Sequence, residues 1–334
     1  MTHEPHSAQP TPTGAGFFYP RPAESDDRHL LGLEGMPAAA LIELLDAAAR
    51  YRERLRAGRM MSDELRGVGV CNAFFEDSTR TRVSFELAER RMGAVTVSFS
   101  SAGSSVSKGE TLLDTLRTIT AMGVDLVVVR HRSAGVPSYL TGHLDVGVIN
   151  AGDGEHEHPT QGLLDILTLR DAWRGRFERR RIAIVGDIGH SRVARSAIFG
   201  LRTLGVEVVV AAPATLIPVG VEELGCTVAT TVDEALEGAD AVMALRIQRE
   251  RMEAGLIPTL GEYARVWGIS AERVGRMRPG AVVMHPGPMN RGIEISPEVA
   301  DGDYSVIFDQ VENGVAVRCA VLARCAAAAM REVR

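Results

Sequence analysis

The sequence lacks several features that would assign the chain to a functional class at once. Its 37 Lys and Arg are fewer than its 43 Asp and Glu, so the basic excess typical of nucleic-acid-binding proteins is missing. No apolar run approaches the roughly 18 residues that a membrane-spanning helix needs. The first residues show neither the basic start nor the apolar stretch of a secretory signal. We therefore expect no nucleic-acid or membrane partner, although the net charge of −6 does not exclude an anionic substrate, because nearby residues determine a site's charge.

Cysteine is scarce and scattered along the chain. The four cysteines are Cys71, Cys226, Cys319 and Cys325, and no two of them form a Cys-x-x-Cys pair. Neither a disulfide framework nor a zinc site is predicted from this spacing. Cys71, Cys319 and Cys325 stand in apolar runs, where a free cysteine behaves as a small hydrophobic residue. The pattern is typical of a reducing compartment, so we expect a cytoplasmic protein.

The chain of 334 residues is long enough for two domains, and strand-like runs alternate with helical patterns in both halves. Such alternation predicts parallel sheets with helical crossovers. We predict an α/β fold with two parallel-sheet domains, an active site in the interdomain cleft and a C-terminal helix that bridges them. The predicted divisions are a flexible tail at 1–28, a first domain at 29–160 with the helix 314–334, and a second domain at 161–313.

Polar clusters follow several of the predicted strands. In open parallel sheets, ligands bind beyond the carboxyl ends of the strands. Because such clusters occur in both halves of the chain, they predict one site in the cleft between the two domains.

The segment 74–82, which reads FFEDSTRTR, carries the sharpest chemical signal. A predicted strand ends in it and a predicted helix begins. Backbone N–H groups at a helix start, together with the helix dipole, bind phosphate well. The hydroxyls of Ser78, Thr79 and Thr81 can donate to phosphate oxygens, and the Arg80 guanidinium adds a permanently charged fork. A plain helix cap would explain a lone Ser-Thr pair but not the full Ser-Thr-Arg-Thr-Arg run.

This segment resembles the signature that aspartate and ornithine carbamoyltransferases share, where it holds carbamoyl phosphate. The block His158-Pro159-Thr160-Gln161 and the Arg130 that follows a strand extend the resemblance, which covers residues 29 to 325. It implies catalytic roles for Arg80, Thr81, Arg130 and His158. The residues that it assigns to carbamoyl phosphate are Ser78, Thr79, Arg80, Thr81, Ser105, Lys108, Arg130, His158, Gln161, Pro286 and Gly287.

Two alternative interpretations would add a metal or a cofactor. Asp153, His156 and His158 could form a metal cluster, but no convincing further ligands stand nearby. The run 185–192, VGDIGHSR, follows a strand and opens a helix as in dinucleotide-binding folds, yet it lacks Gly-x-Gly-x-x-Gly. We therefore predict neither a metal nor a cofactor.

The Ser-rich loop 104–110, SSVSKGE, alone indicates only a flexible segment with one lysine. By resemblance it corresponds to a mobile loop that reaches into the active site of the neighbouring subunit, which implies a homotrimer with shared sites. Lys108 would add a cation for both substrates. An unshifted alignment selects Ser104 as the accompanying hydroxyl, whereas the Ser-Val pairing selects Ser105.

The carbamoyl acceptor depends on the second half of the chain. The run 245–251, LRIQRER, taken alone predicts an amphipathic surface turn. It resembles the loop of the aspartate enzymes, which implies that Arg246 and Gln248, together with Arg192 and Lys108, bind L-aspartate. Ornithine enzymes carry His-Cys-Leu-Pro where this chain has His-Pro-Gly-Pro at 285–288.

The resemblance therefore implies carbamoyl transfer from carbamoyl phosphate to L-aspartate, an early step of pyrimidine biosynthesis. Two alternatives stay open: ornithine or another amine as the acceptor, and a catalytically weak chain that serves as a structural subunit. Family members associate with regulatory chains, with dihydroorotase, or as bare trimers, and the sequence does not decide among these. Glu294 is expected to pair with an arginine and steady its loop.

Overall fold

The computed structural model describes residues 26–58, 61–100, 110–248, 256–257 and 259–332, and these form two parallel β-sheets flanked by helices. The first half of the chain builds one sheet and the second half builds the other. The α/β fold class predicted from the alternating pattern is therefore confirmed. The predicted tail at 1–28 lies almost wholly outside the described residues, which begin at Asp26.

The first sheet has four parallel strands in the order β2-β1-β3-β4. These strands are β1 Gly69–Phe74, β2 Val95–Ser100, β3 Leu126–His131 and β4 Gly147–Asp153. The helices of this half are α1 Ala38–Arg56, α2 Thr79–Arg91, α3 Leu112–Thr120 and α4 Val136–Thr141. Every residue of β1 and of β4 is buried, because parallel strands are covered on both faces.

The second sheet has five parallel strands in the order β7-β6-β5-β8-β9. These strands are β5 Arg181–Val185, β6 Glu207–Ala211, β7 Thr227–Ala229, β8 Ala241–Ala244 and β9 Val282–Met284. Its helices are α6 Arg192–Thr203, α7 Val232–Leu236, α8 Leu260–Trp267, α9 Ala271–Val274 and α10 Pro297–Ala300. The strand order reverses between β1 and β3 in the first sheet and between β5 and β8 in the second, and crevices for ligands form at such switch points.

Two long helices join the halves. Helix α5, Pro159–Ala172, is buried on nearly every side. Helix α11, Ile307–Glu332, packs on α1, α2, α5 and β4 and also contacts β9. The prediction that no apolar run approaches membrane-spanning length is wrong, because Ile307–Met330 is long and apolar enough by length and composition alone. Within this helix, 61% of the most apolar stretch is buried inside the protein. The bridging helix was therefore predicted correctly, although it begins at Ile307 and not at residue 314.

The alternation of strands and helices that the sequence predicts is present in both halves, but several short elements were not predicted. No prediction covered β7, α4 or α7 to α10, which have three to eight residues. An element of this length spans too few periods for its apolar spacing to be recognised. The domain boundaries near residues 160 and 313 stay a prediction.

A buried carboxyl group attaches α2 to β1. Glu89 of α2 is fully buried, and the Nδ2 group of Asn72 donates to its Oε1 and Oε2 at 3.0 and 2.9 Å. Burial raises the pKa of Glu89 from 4.5 to about 7, since the low-dielectric interior disfavours the ionised form. The orientation of α2 therefore depends on a group that is costly to ionise.

Replacing Glu89 with Gln should remove the pH-dependent loss of folding stability that results from ionising a buried carboxyl group. Because the folded-state pKa is raised, the folded protein binds this proton more tightly, and stability falls as the pH rises from about 4.5 to about 7. The unfolding free energy of Glu89→Gln relative to the original protein should therefore increase by up to about 3 kcal/mol across that window. Chemical denaturation at several pH values measures the difference. Glu43→Gln, at an exposed position of α1, is the control, and a pH-independent difference for Glu89→Gln would contradict this account.

Candidate active site

A cavity of about 890 Å³ opens between the carboxyl ends of the two sheets. The predicted site residues that line it are Ser78, Thr79, Arg80, Thr81, Arg130, His158, Gln161, Arg192, Arg246, Gln248, Pro286 and Gly287. The structure thus brings together every predicted site residue that it describes. Ser104, Ser105 and Lys108 lie outside the described residues.

The segment 74–82 contains the start of α2, which has no side-chain cap. Ser78 precedes the first residue of α2 with an extended backbone, φ −160° and ψ 94°, as expected of a capping residue. Its side chain caps no backbone N–H, and its Oγ donates instead to the Thr81 Oγ1 at 2.9 Å. The N–H groups of the first helical turn are therefore left without a side-chain cap and face the cavity, where they can bind an anion.

Arg80 reaches from α2 to the loop that follows β9. A Cβ atom on Gly287 would lie 2.6 Å from the Arg80 Nη1, and Gly287 has a φ of +63°. Glycine suits this backbone conformation, and a side chain there would displace the Arg80 guanidinium. Partial burial, and then the charge of Arg246, lower the pKa of Arg80. Cations from the two halves of the chain therefore face each other across the cavity.

Glu76 connects two of the arginines across the interdomain cleft. Its Oε1 accepts from the Arg130 Nη2 at 2.7 Å and from the Arg192 Nη2, and its Oε2 accepts from the Arg192 Nη1 at 3.2 Å. Both arginines pack against Gly152, where a Cβ would lie about 3 Å from each guanidinium. Sequence reasoning identified both arginines but missed Glu76, although this residue stands inside the recognised segment.

His158 immediately precedes α5 and is buried beside the arginines. Burial, and then the positive charges of Arg130, Arg192 and Arg318, hold the pKa of His158 well below its ordinary value. The imidazole is therefore neutral at neutral pH and can donate one N–H without adding a further cation. The backbone N–H of His158 donates to the Ser196 Oγ at 2.9 Å, which fixes the start of α5 against α6.

The second domain contributes two segments to the site. The Ser191 hydroxyl accepts from the Ala194 N–H and caps α6, which places Arg192 in its first turn. The Gln248 Nε2 donates to the backbone oxygen of His190 at 3.0 Å, so the segment after β8 is attached to the segment after β5. Arg192 and Arg246 consequently belong to one polar wall of the cavity.

The loop 285–288 is held by its own histidine. The Gly287 N–H donates to the His285 Nδ1 at 2.8 Å, so the proton of the neutral ring lies on Nε2, which contacts Glu294 Oε1 at 3.3 Å. Glu294 also accepts from the Asn290 N–H at 2.8 Å. The expectation that Glu294 pairs with an arginine is wrong within the described part of the chain, because its carboxylate is turned toward buried donors of its own loop.

No group of three or more His, Cys, Asp or Glu is arranged to hold a metal ion within the described residues. Asp153 instead accepts from the Gly135 N–H and the Asn150 side chain, and it pairs with His156 at 3.1 Å. The site therefore offers guanidinium groups, hydroxyls, helix N–H groups and one neutral imidazole. Such a set can bind two anions and stabilise negative charge that develops on an oxygen atom.

Comparisons with known proteins agree with this geometry. A family model described as the carbamoyl-phosphate-binding domain of aspartate/ornithine carbamoyltransferase matches residues 28–171, and one described as its Asp/Orn-binding domain matches residues 178–325. The aspartate carbamoyltransferase catalytic subunit of Pelotomaculum thermopropionicum is 56% identical over 88% of this chain and 95% of the relative. That of Myxococcus xanthus is 54% identical over 90% of this chain and 100% of the relative.

Solved structures show the same fold. Aspartate transcarbamoylase from Trypanosoma cruzi, in complex with N-(phosphonacetyl)-L-aspartic acid, has a TM-score of 0.81 at 30% identity and covers 89% of this chain and 95% of its own. Ornithine carbamoyltransferase from Thermus thermophilus has a TM-score of 0.78 at 27% identity, with coverage of 89% and 98%. The chain therefore belongs to the aspartate/ornithine carbamoyltransferase family.

Proposed function

We propose that this chain transfers the carbamoyl group of carbamoyl phosphate to the amine of L-aspartate, which yields N-carbamoyl-L-aspartate and phosphate in pyrimidine biosynthesis. The observation that carries the proposal is the single cavity in which Arg192, Arg246 and Gln248 face an open helix start with Arg80 and Arg130. The relatives from Pelotomaculum thermopropionicum and Myxococcus xanthus, at 56% and 54% identity, are named aspartate carbamoyltransferase catalytic subunits, which supports the same acceptor.

Carbamoyl phosphate binds at the first domain. The uncapped N–H groups of α2, its three hydroxyls and Arg80 hold the phosphate. Thr81, Arg130 and neutral His158 donate toward the carbamoyl oxygen, whereas Gln161 and the backbone carbonyls of Pro286 and Gly287 face the carbamoyl amino group. Lys108 and either Ser104 or Ser105 complete the phosphate site; all three lie outside the described residues.

L-Aspartate binds at the second domain. Its two carboxylates require two cationic forks, which Arg192 and Arg246 supply, and Gln248 adds an amide. Ornithine has a cationic side chain, which two arginines would repel. The absence of a cysteine in the His-Pro-Gly-Pro segment also weighs against ornithine.

The transfer itself needs positioning and electrostatic stabilisation. The neutral amine of aspartate attacks the carbamoyl carbon, a C–N bond forms, and negative charge develops on the carbamoyl oxygen beside Thr81, Arg130 and His158. The C–O bond to phosphate then breaks, and the departing phosphate accepts the amine proton. Most of the rate acceleration comes from holding two anions in reactive orientation in a cleft that excludes water.

We also propose a cytoplasmic homotrimer in which the loop 104–110 of one subunit completes the site of its neighbour. The described cavity contains no lysine, and the resemblance of this loop to the mobile loop of the family supports the proposal. Association with dihydroorotase or with regulatory chains is compatible with the same trimer.

The direct test is carbamoylation by the purified chain, with carbamoyl phosphate and either L-aspartate or L-ornithine as the acceptor. Product with aspartate alone is expected, because the second-domain wall carries two guanidinium groups. Product with ornithine alone would overturn the acceptor assignment. A folded trimer that binds carbamoyl phosphate but turns over neither amine would favour the structural-subunit alternative.

Substituting Arg246 with Ala should separate the two halves of the site. Loss of a charge-assisted contact to a carboxylate is expected to raise the KM for aspartate about tenfold to a hundredfold. The KM for carbamoyl phosphate should stay nearly unchanged, because Arg246 is not among the residues assigned to that substrate. Steady-state kinetics measures both constants, with Arg66→Ala as the control, since the Arg66 side chain is 76% exposed and outside the cavity. Equal effects on both KM values would refute the assignment.

His158 is expected to remain neutral through the pH range in which an ordinary histidine titrates, because burial and three arginines hold its pKa well below 6.5. NMR of labelled imidazoles checks this, with the His158 resonance identified by its loss in His158→Gln. Free histidine in the same buffer serves as the titrating reference. A His158 resonance that titrates near pH 6.5 would contradict the role of a neutral donor.

A further inference from the structure

A buried chain of hydrogen bonds connects the loop after β9 to Gln161 in the cavity. The backbone N–H of His285 donates to the Gln310 Oε1 at 2.9 Å, and the Gln310 Nε2 donates to the Asp165 Oδ1 at 2.7 Å. The Gln161 Nε2 donates to the same Asp165 oxygen at 2.9 Å. Asp165 and Gln310 are 0% and 2% exposed, so solvent does not compete for these bonds.

The backbone N–H of His285 determines which group donates and which accepts in every hydrogen bond of this network. A backbone N–H can only donate, so the oxygen of the Gln310 amide must face His285. The Gln310 amino group must then face Asp165, whose Oδ1 therefore accepts. Because that oxygen accepts, Gln161 must also turn its amino group toward it. The remaining Gln161 atom, Oε1, is left on the side of the cavity, which Gln161 lines.

This polarity holds for ionised Asp165, because a carboxylate can only accept hydrogen bonds, and for neutral Asp165 with its proton on Oδ2. Burial raises the pKa of Asp165 to about 7, and the bonds from Gln310 and Gln161 oppose the increase. The Asp165 Oδ2 has no hydrogen-bond partner among the described residues, so a proton can lie there while Oδ1 accepts both amides. Arg318 lies close enough to interact with Asp165 electrostatically, which further disfavours any donor at that position.

We propose that Asp165 is a positioning residue that fixes the amide of Gln161 with its oxygen toward the carbamoyl amino group, so that the site selects a carbamoyl donor over an acyl phosphate of the same shape. The inference rests on the proposed function and deepens it. The amino group is the only part of carbamoyl phosphate that donates hydrogen bonds at neutral pH. An acceptor held rigidly at this position therefore distinguishes it from acetyl phosphate, which has a methyl group there.

Equilibrium binding without L-aspartate tests the proposal. Calorimetry measures the dissociation constants of carbamoyl phosphate and acetyl phosphate for the complete protein and for Asp165→Leu, which has a similar shape but accepts no hydrogen bond. Carbamoyl phosphate should bind about tenfold more weakly to Asp165→Leu, because one hydrogen bond is lost. Binding of acetyl phosphate should be unchanged. Asp165→Asn, which retains an accepting oxygen, should keep the original selectivity.

A second pair of variants removes the dependence on a buried substitution. Gln161→Met, at a half-buried position, should lose the same selectivity as Asp165→Leu. The double variant should lose no more than Gln161→Met alone, since Asp165 acts only through Gln161. If Asp165→Leu does not fold, Asp165→Ala replaces it in this cycle.

The outcomes separate this inference from the proposed function. Equal weakening of both ligands by Asp165→Leu would show a merely structural role, and unchanged selectivity in Gln161→Met would overturn the inference by itself. If the original protein did not bind carbamoyl phosphate at all, the proposed function would fail instead.

Discussion

The ion pair of Glu76 with Arg130 and Arg192 is the interaction on which the site depends. Arg130 lies at the carboxyl end of β3 and Arg192 opens a helix of the second half of the chain, so one carboxylate spans the cleft between them. The guanidinium groups of Arg130 and Arg192 contact the same carboxylate, and two positive charges so close together repel strongly when they are partly buried. Glu76 offsets that repulsion while the cavity is open. Arg80 and Arg246 add further positive charge, which two anionic substrates can neutralise. Neutral His158 follows from the same constraint, because another cation there would be unfavourable.

The two sheets explain how these charges converge. Four of the motifs follow β1, β3, β5 and β8, the strands that flank the two switch points, and two more follow the neighbouring strands β4 and β9. Helices α5 and α11 then hold the halves together through buried polar contacts, of which the Gln161–Asp165–Gln310 chain is one. Its buried bonds pass from the loop after β9 to the start of α5. The position of Gln161 in the proposed carbamoyl phosphate site therefore depends on the loop after β9, which belongs to the other half of the chain.

Local sequence predicted those parts of the site that depend on neighbouring residues. The Ser78–Arg82 run signals both its helix start and its phosphate chemistry within five letters, and Arg130 stands directly at a strand end. Glu76 could not be assigned in this way, because its partners lie 54 and 116 residues away. Asp165 and Gln310 are separated by 145 residues, and each alone reads as an ordinary polar position of a helix. These residues form hydrogen bonds with one another only because the fold buries them together. The burial of a single polar residue produces no periodic pattern in a sequence, so it could not be predicted.

The central claim is that arginines from two domains form one continuous site for two anions. Calorimetric titration with N-(phosphonacetyl)-L-aspartate, which joins a phosphonate to the aspartate skeleton, tests this most directly. If both halves are engaged together, one molecule should bind per chain at least about a hundredfold more tightly than phosphonoacetate, because the second contact becomes intramolecular. Affinity no greater than that of phosphonoacetate would contradict the claim, since the aspartate half would then lie outside any site.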